Sequence, residues 1–257
     1  MAYNEFAYFY DEFNTAADYD ALYRYVTGEL ATHGVPGGLL ADLGCGTGVL
    51  TLMLAQAGYD VIGVDQSEEM LSVLREKADE LGLAGRILLL QQDLLELDLY
   101  GTIRAAVSTF DTFSHIGPLD RFEQAIAKAA FFMEEGGVFV FDLNTPYKHA
   151  RVLAGQTFDL DAGDACCRWS NTYDPQAGRV RIDICITDRE TGDHWQEMFY
   201  EYSYDLDTVQ TLLDRYGYTV ARVADGEDFG PLRPDSQRWI FTAVKRYTQQ
   251  GPKGETE

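Results

Sequence analysis

Short apolar segments alternate with amphipathic segments between residues 39 and 143, and this alternation limits the possible folds more than any other feature of the sequence. The apolar segments predict buried strands at 39–43, 61–64, 86–91, 105–109 and 136–143. The segments between them carry apolar residues at helical spacing, for example Met70, Leu71, Leu74, Ala78 and Leu81, and Ser67 is the expected N-cap of that helix. Strands and helices in this order predict a parallel sheet with helices on both faces.

The sequence pattern changes after Pro146. Three segments rich in aromatic and β-branched residues follow, and the turn compositions PQAG and RETGD separate them. These segments predict an inserted antiparallel meander, after which a helix and a closing strand pair return to the α/β pattern. We therefore expect four parts, which are an N-terminal aromatic helical segment or lid at 1–36, a core at 37–146 and 205–247, a β insert at 147–204, and a disordered tail at 248–257.

The charge and cysteine content narrow the class of protein. The chain has 42 acidic and 20 basic side chains and a net charge of -22, so its surface repels phosphate backbones and disfavours a nucleic-acid partner. Cys45, Cys166, Cys167 and Cys185 match neither a secreted disulfide framework nor a CxxC zinc pair. No basic residue precedes Arg24, and glycines break the longest uncharged run. We expect a cytoplasmic protein without a signal peptide or membrane contact.

The sequence DLGCGTG at 42–48 follows the first predicted strand and contains three glycines. Glycine weakens regular structure, so this loop indicates that a ligand approaches the backbone. Ligands of open α/β sheets bind beyond the carboxyl ends of the strands, where Asp42, Asp65 and Asp93 follow the first three predicted strands. An acid in the position of Asp65 suits ribose hydroxyls, and Asp93 suits an adenine amino group. Together these residues predict a pocket for an adenosine moiety.

The spacing of the glycines separates two classes of cofactor. A dinucleotide-binding loop reads G-x-G-x-x-G, whereas this loop reads G-x-G-x-G and has Val49 in place of the last glycine. The preceding acid, Asp42, suits an ammonium group. The loop therefore favours a cofactor with a cationic amino-acid tail over one with a pyrophosphate.

The segments LLADLGCGTG, VIGVDQSEEML and LLLQQDLLEL resemble successive motifs of the class I S-adenosylmethionine-dependent methyltransferases. The N-terminal YFYDEF, the β insert and the C-terminal WIFTAVK resemble a bacterial small-molecule-type subgroup of that family. The resemblance implies a Rossmann-like sheet of seven strands, the last of them antiparallel, with helices on both faces. It also implies S-adenosyl-L-methionine as the cofactor.

The resemblance assigns one set of residues to the cofactor, all of which follow the ends of predicted strands: Asp42, Gly44, Cys45, Gly46, Gly48, Asp65, Gln66, Met70, Asp93, Leu94 and Phe110. The glycine loop would hold the methionine part, Asp65 the ribose and Asp93 the adenine edge. Phe110 would close the site near the sulfonium. Met70 has a second interpretation, as an ordinary residue of the helix core.

Two residues are candidates for catalytic roles. A methyl group on a sulfonium is already activated, so a base is needed only when the acceptor arrives protonated. His115 follows the fourth strand on the expected substrate side, and it is either that base or an ordinary loop histidine. Tyr10 lies in an aromatic segment that either packs as a helix face or closes over the cation as a lid. The histidines lack HExxH spacing, so no metal site is expected.

These observations predict an S-adenosylmethionine-dependent methyltransferase that acts on an oxygen, nitrogen or carbon atom of a small-molecule acceptor. We expect it to be a monomer or a homodimer. Two alternatives remain, an NAD(P)-dependent oxidoreductase and a non-catalytic module that binds S-adenosylmethionine. The missing glycine and the lack of a Tyr-x-x-x-Lys pair disfavour the oxidoreductase.

Overall fold

The computed structural model describes residues 6–14, 17–161 and 163–247, and two β-sheets organise this part of the chain. The strands are β1 (Leu39–Leu43), β2 (Asp60–Asp65), β3 (Ile87–Gln91), β4 (Ile103–Ser108), β5 (Met133–Asn144), β6 (Thr157–Asp161), β7 (Ala165–Asp174), β8 (Arg179–Asp188), β9 (His194–Tyr202), β10 (Tyr218–Asp225) and β11 (Arg238–Lys245). The α-helices are α1 (Phe6–Phe13), α2 (Tyr19–Thr32), α3 (Val49–Gln56), α4 (Glu68–Glu80), α5 (Leu119–Phe132) and α6 (Leu206–Arg215).

The larger sheet has seven strands in the order β10-β11-β5-β4-β1-β2-β3. Strands β1 to β5 are parallel to one another. The last strand, β11, runs antiparallel to both of its neighbours, β5 and β10. This topology confirms the predicted Rossmann-like sheet with an antiparallel last strand.

Helices cover both faces of the larger sheet, and the alternation of side chains along β1 shows why. Leu40 packs with residues of α2 and α3, whereas Ala41 and Leu43 pack with residues of α5 and α6. A parallel sheet buries both of its faces, so its strands are apolar throughout. Polar side chains of these strands are therefore concentrated at the ends of the strands, where a site can form.

The start of α4 is fixed by the predicted cap. The Met70 N–H donates a hydrogen bond to Ser67 Oγ at 3.2 Å, and Glu68 and Glu69 occupy the first turn of the helix. Acidic residues there interact favourably with the positive end of the helix dipole. The cap confines the connection between β2 and α4 to two residues, which keeps Asp65 at the carboxyl edge of the sheet.

The smaller sheet is an antiparallel meander in the order β6-β7-β8-β9. Three of its strands confirm the predicted meander. The sequence analysis did not predict β6, because this five-residue edge strand contains two aspartates and is mostly exposed. The smaller sheet therefore begins earlier in the chain than the sequence pattern indicates.

Helix α1 contacts both the smaller sheet and the glycine loop that follows β1 of the larger sheet. The inner face of the smaller sheet carries four buried residues of β8, which are Val180, Ile182, Ile184 and Ile186. Tyr10 and Phe13 of α1 pack against this apolar cluster. The next residue after Tyr10, Asp11, accepts a hydrogen bond from the Thr47 hydroxyl at 2.6 Å and pairs with the Lys77 ammonium. Helix α1 is therefore held both to the smaller sheet and to the glycine loop.

Parts of the predicted N-terminal segment, residues 1–5 and 15–16, lie outside the described residues, as does the predicted disordered tail at 248–257. The division of the chain at residues 36, 146 and 204 stays a prediction. Within the described residues, every helix is too short or too polar to cross a membrane.

Candidate active site

A cavity of about 520 Å³, here called the main cavity, lies at the carboxyl edge of the larger sheet. One wall follows the ends of β1 to β4 and includes Gly44, Gly46, Asp65, Asp93 and Phe110. The opposite wall comes from α1 and the smaller sheet and includes Tyr10, Phe13, Leu160, Trp169 and Glu201. The insert thus forms part of the same site as the glycine loop.

The glycines of the loop serve two different purposes. Gly44, Gly46 and Gly48 all have positive φ angles, of 77°, 53° and 82°, which disfavour residues with a side chain. A Cβ atom at Gly44 would overlap Thr112, and one at Gly48 would overlap Leu74. A Cβ atom at Gly46 would meet nothing within 4 Å. Gly44 and Gly48 therefore permit close packing, whereas Gly46 leaves its backbone open to a ligand.

Asp65 ties the glycine loop to the end of β2. Its Oδ2 accepts the Gly46 N–H at 2.9 Å, and its Oδ1 accepts the Ser67 N–H at 2.9 Å. Burial raises the pKa of Asp65, and the backbone hydrogen bonds partly oppose that rise. Gln66 is exposed next to it and also lines the main cavity. The carboxylate thus lies at the cavity wall where the sequence places a ribose.

The residues assigned to the adenine lie along the same wall. Asp93 accepts the Leu95 N–H at 2.9 Å and caps a short 3₁₀ turn, and Leu94 lies in that turn. Met70 is buried in α4 and also lines the main cavity. The two interpretations of Met70, core residue and cavity wall, are therefore compatible.

Asp42, Cys45 and Gly48 lie apart from this wall, around a second cavity of about 50 Å³, here called the side cavity. The two cavities adjoin, because five residues line both of them: Tyr10, Gly44, Gly46, Phe110 and Thr112. Asp42 is 3% exposed, and its Oδ2 accepts a hydrogen bond from the Thr51 hydroxyl at 2.5 Å. One of its two oxygens is therefore already engaged.

Burial raises the pKa of Asp42 to about 7, with the Thr51 hydrogen bond opposing the rise and the charge of Asp65 adding to it. The cofactor-free native state therefore binds this proton more tightly than the unfolded chain does. The resulting stabilisation is complete below about pH 4 and is lost as the pH rises toward 7.

Replacing Asp42 by asparagine, which cannot ionise, is expected to remove this dependence on pH. Between about pH 5 and pH 8 the wild type should lose about 1–3 kcal/mol more unfolding free energy than Asp42→Asn, at about 1.4 kcal/mol for each pKa unit. Urea unfolding of both proteins at the two pH values measures the difference. Equal losses would show that Asp42 ionises normally in the folded protein.

A tight turn after β4 directs two further side chains into the main cavity. Phe110 and Asp111 have φ angles of 56° and 57°, a region that residues other than glycine seldom adopt. Their N–H groups donate to the two carboxylate oxygens of Asp142 at 2.9 and 2.6 Å. Strained backbone of this kind often occurs at functional sites. Here the turn brings Asp111 and His115 to the cavity wall.

Asn144 and Glu201 complete a polar network with Asp111 that the sequence analysis did not predict. The Asn144 Nδ2 donates to Asp111 Oδ2 and to Glu201 Oε2, each at 2.7 Å. Asn144 ends β5, whereas Glu201 lies on β9 of the smaller sheet. One feature of the sequence could have identified Glu201 as a site residue. It is an acid two residues after Phe199, so the two side chains lie on the same face of β9.

His115 lies between the two carboxylates. Its Nε2 is 3.6 Å from Asp111 Oδ1 and 3.9 Å from Glu201 Oε1, and its ring packs on Phe199 with centroids 5.2 Å apart. Burial alone lowers the pKa of His115, but the pairing with Asp111 and the charge of Glu201 outweigh burial, so the pKa is raised. A raised pKa makes the neutral imidazole a better proton acceptor.

The same three residues offer ligand atoms within 4.8 Å of one another, a spacing that a metal ion could use. Lys148 Nζ donates to Asn144 Oδ1 at 2.9 Å and so places one positive charge next to this network. Its positive charge opposes a dication at the adjacent carboxylates.

Tyr10 lies at the junction of the two cavities. Burial raises the pKa of its phenol well above 10, and the charges of Tyr19 and Asp111 add to the rise. Tyr10 therefore stays neutral at physiological pH and is unsuited to act as a base. Its position favours a role in closing the site.

A family model described as a methyltransferase domain matches residues 40–137. A Geobacillus sp. protein named as a methyltransferase is 28% identical over 250 residues, covering 95% of this chain and 100% of that protein. A solved S-adenosylmethionine-dependent methyltransferase from Clostridium acetobutylicum has the same fold, with a TM-score of 0.86 and 24% identity over 96% of this chain and 100% of that one. The enzyme is therefore a methyltransferase, with the fold of a solved S-adenosylmethionine-dependent methyltransferase.

A third similar protein, the solved sugar N-methyltransferase KedS8 from Streptoalloteichus sp., matches this methyltransferase with a TM-score of 0.74 and 20% identity, covering 93% of each chain. The comparisons confirm the predicted enzyme class and its cofactor, S-adenosylmethionine. The oxidoreductase and the non-catalytic binding module are therefore set aside.

Proposed function

We propose that the methyltransferase moves the methyl group of S-adenosylmethionine to an oxygen, nitrogen or carbon atom of a small molecule held in the main cavity. The volume of about 520 Å³ is within the range of small-molecule sites, which is about 300–1,000 Å³. The likeness to KedS8, which is named for a sugar acceptor, supports an acceptor of this size. The chain's net charge of -22 opposes a nucleic-acid acceptor.

The residues present fit the cofactor. Gly46 leaves its backbone open, which suits the amino-acid tail of the cofactor. Asp65 accepts hydrogen bonds from two N–H groups and still has free lone pairs, which suit the hydroxyls of the sugar. We assign the ribose to Asp65 and Gln66, and the adenine to the wall formed by Met70, Asp93 and Leu94. The side cavity, with Asp42, Cys45 and Gly48, would take the amino-acid tail.

The cofactor, when bound, supplies a methyl group that is already activated on a sulfonium. The protein's own residues then have three tasks. Tyr10 and Phe110 close the junction of the two cavities and exclude water. His115 would accept a proton at Nε2 from an acceptor that arrives protonated, and the Asp111 carboxylate, 3.6 Å from that nitrogen, would stabilise the imidazolium that forms.

One observation carries this proposal. A single cavity is lined by the glycine loop and Asp65 and also by Asp111, His115 and Glu201. Cofactor and acceptor can therefore be held face to face, and alignment of this kind contributes about 7–11 kcal/mol to rate acceleration.

The proposal is tested with S-adenosylhomocysteine and with labelled cofactor. At about 100 times its Kd, S-adenosylhomocysteine should stabilise the protein by about 2.7 kcal/mol, whereas NAD at the same concentration should not. Incubation with methyl-labelled S-adenosylmethionine and a metabolite extract should label a compound below about 1 kDa, a size set by the cavity. Label found in RNA or protein, with none in small molecules, would overturn the acceptor class.

A further inference from the structure

We propose that Asp111 and Glu201, here called the carboxylate pair, bind a protonated amine of the acceptor and that His115 removes its proton. This inference rests on the proposed function and narrows it. The acceptor would be a small molecule whose methylated atom is the nitrogen of an aliphatic amine.

The first argument is the direction of the carboxylate oxygens. The Asn144 amide binds Asp111 Oδ2 and Glu201 Oε2, so the other oxygen of each group is not used by Asn144. Those two oxygens, Asp111 Oδ1 and Glu201 Oε1, are the ones nearest to His115 Nε2. The pair and the imidazole thus converge on one point of the cavity wall.

The second argument is charge. Glu201 is only 3% exposed, and its Oε2 also lies 3.3 Å from Nε2 of the fully buried His149. The two carboxylates share the Asn144 amide, so their negative charges repel each other, and a cation between them relieves that repulsion. Lys148 is one hydrogen bond away, on the far side of the Asn144 amide. A cation at the pair is therefore an imidazolium, of His115 or His149, or an ammonium group of the acceptor.

The third argument is the charge that develops during methyl transfer. An amine nitrogen becomes positive as it gains a methyl group, and the carboxylate pair stabilises that charge. A hydroxyl would have to lose a proton and become an alkoxide, which the same two carboxylates would repel. The pair therefore favours an amine over an alcohol.

The proton transfer is balanced within the site. One N–H bond of the ammonium breaks, its electron pair stays on nitrogen as the lone pair, and the proton forms a bond to Nε2 of neutral His115. The lone pair would then be free to form the nitrogen–carbon bond with the methyl group, while the carbon–sulfur bond of the sulfonium would break and leave its electron pair on sulfur as a neutral thioether. The imidazolium returns its proton to solvent after the product leaves, so no oxidant, reductant or other reactant is consumed.

The test uses cyclohexylamine and cyclohexanol, two probes of nearly equal shape that differ in the amine. Each is titrated into protein saturated with S-adenosylhomocysteine, and the ring signals of His115 are followed by NMR, with His115→Asn used for assignment. We expect cyclohexylammonium to shift these signals with a Kd at least about tenfold below that of cyclohexanol, since charge-assisted hydrogen bonds are about twice as strong as neutral ones.

Glu201→Gln removes one charge but keeps an oxygen that can accept the Asn144 bond. It should raise the Kd of cyclohexylamine about tenfold and leave that of cyclohexanol unchanged. The matched control is Glu190→Gln, the same change of charge at an exposed residue of the turn between β8 and β9, outside the lining of the main cavity. It should leave both Kd values within about twofold of the wild type, because charges farther apart are screened by solvent.

Equal affinity for the two probes, or an equal effect of the two variants, would overturn the inference. A requirement for a divalent metal, seen as loss of amine binding in EDTA, would also overturn it. The proposed function is judged separately in the same samples. If S-adenosylhomocysteine fails to bind, the proposed function itself fails, whereas binding of S-adenosylhomocysteine without an amine preference removes only the present inference.

Discussion

Replacing His115 by asparagine is expected to lower kcat/KM for methyl transfer by about 10²–10⁴-fold, the usual contribution of a general base. The reason is the position of the imidazole at the wall of the main cavity, between Asp111 and Glu201. The rate is measured with labelled cofactor and the acceptor identified in the metabolite extract. The Kd for S-adenosylhomocysteine is the control, and it should stay within about twofold of the wild type because His115 is not among the residues assigned to the cofactor.

The pH dependence of kcat/KM distinguishes a base from a purely structural histidine. Only the neutral imidazole accepts a proton, so the rate should fall as the pH drops through the raised pKa of His115, above its ordinary value of about 6.5. The charged groups around it are Asp111, Glu201 and, through Asn144, Lys148. Asp111→Asn removes one supporting charge and should move this fall to lower pH. A rate independent of pH in this range would contradict the role of His115 as a base.

Replacing Asp65 by alanine is expected to weaken cofactor binding by about 1–3 kcal/mol, or about 5–150-fold in Kd. Two losses combine in this variant. The ribose hydroxyls lose a charged acceptor, and the Gly46 and Ser67 N–H groups lose the carboxylate that holds the loop in place. Calorimetric titration with S-adenosylhomocysteine measures the change in Kd.

A matched control is Asp60→Ala, at the opposite end of the same strand. Asp60 is exposed and pairs with Arg86, so its removal should leave the Kd unchanged and cost little stability. An unchanged Kd in Asp65→Ala would show that the ribose lies elsewhere. A similar loss in both variants would indicate damage to β2 and no specific contact.

Local patterns predicted most of the fold. The apolar segments, the Ser67 cap and the glycine loop each depend on residues close together in the chain, and each has the predicted structure. The position of Asp65 at the end of β2 follows from the same local signals. For this reason the cofactor side of the site could be proposed from sequence with named residues.

The acceptor side depends on contacts between distant residues, and sequence patterns carry little information about them. Glu201 reaches His115 only because β9 and the turn after β4 meet across the cavity. Asp42 gives a similar example, because its raised pKa and its hydrogen bond from Thr51 depend on how the folded chain packs around it. The same holds for the phenol of Tyr10, whose pKa is raised by burial. Residue type alone does not reveal such environments.

The two walls of the main cavity come from separate sheets, and this separation has an evolutionary consequence. Substitutions in the meander at 157–202 can alter which molecules are methylated while β1 to β3, with the loop that follows β1, remain intact. Asn144 donates hydrogen bonds to groups from both sides, so it limits how far the meander can diverge. Substitutions in the smaller sheet can therefore change which acceptor binds, while the residues assigned to the cofactor at the ends of β1 to β3 stay the same.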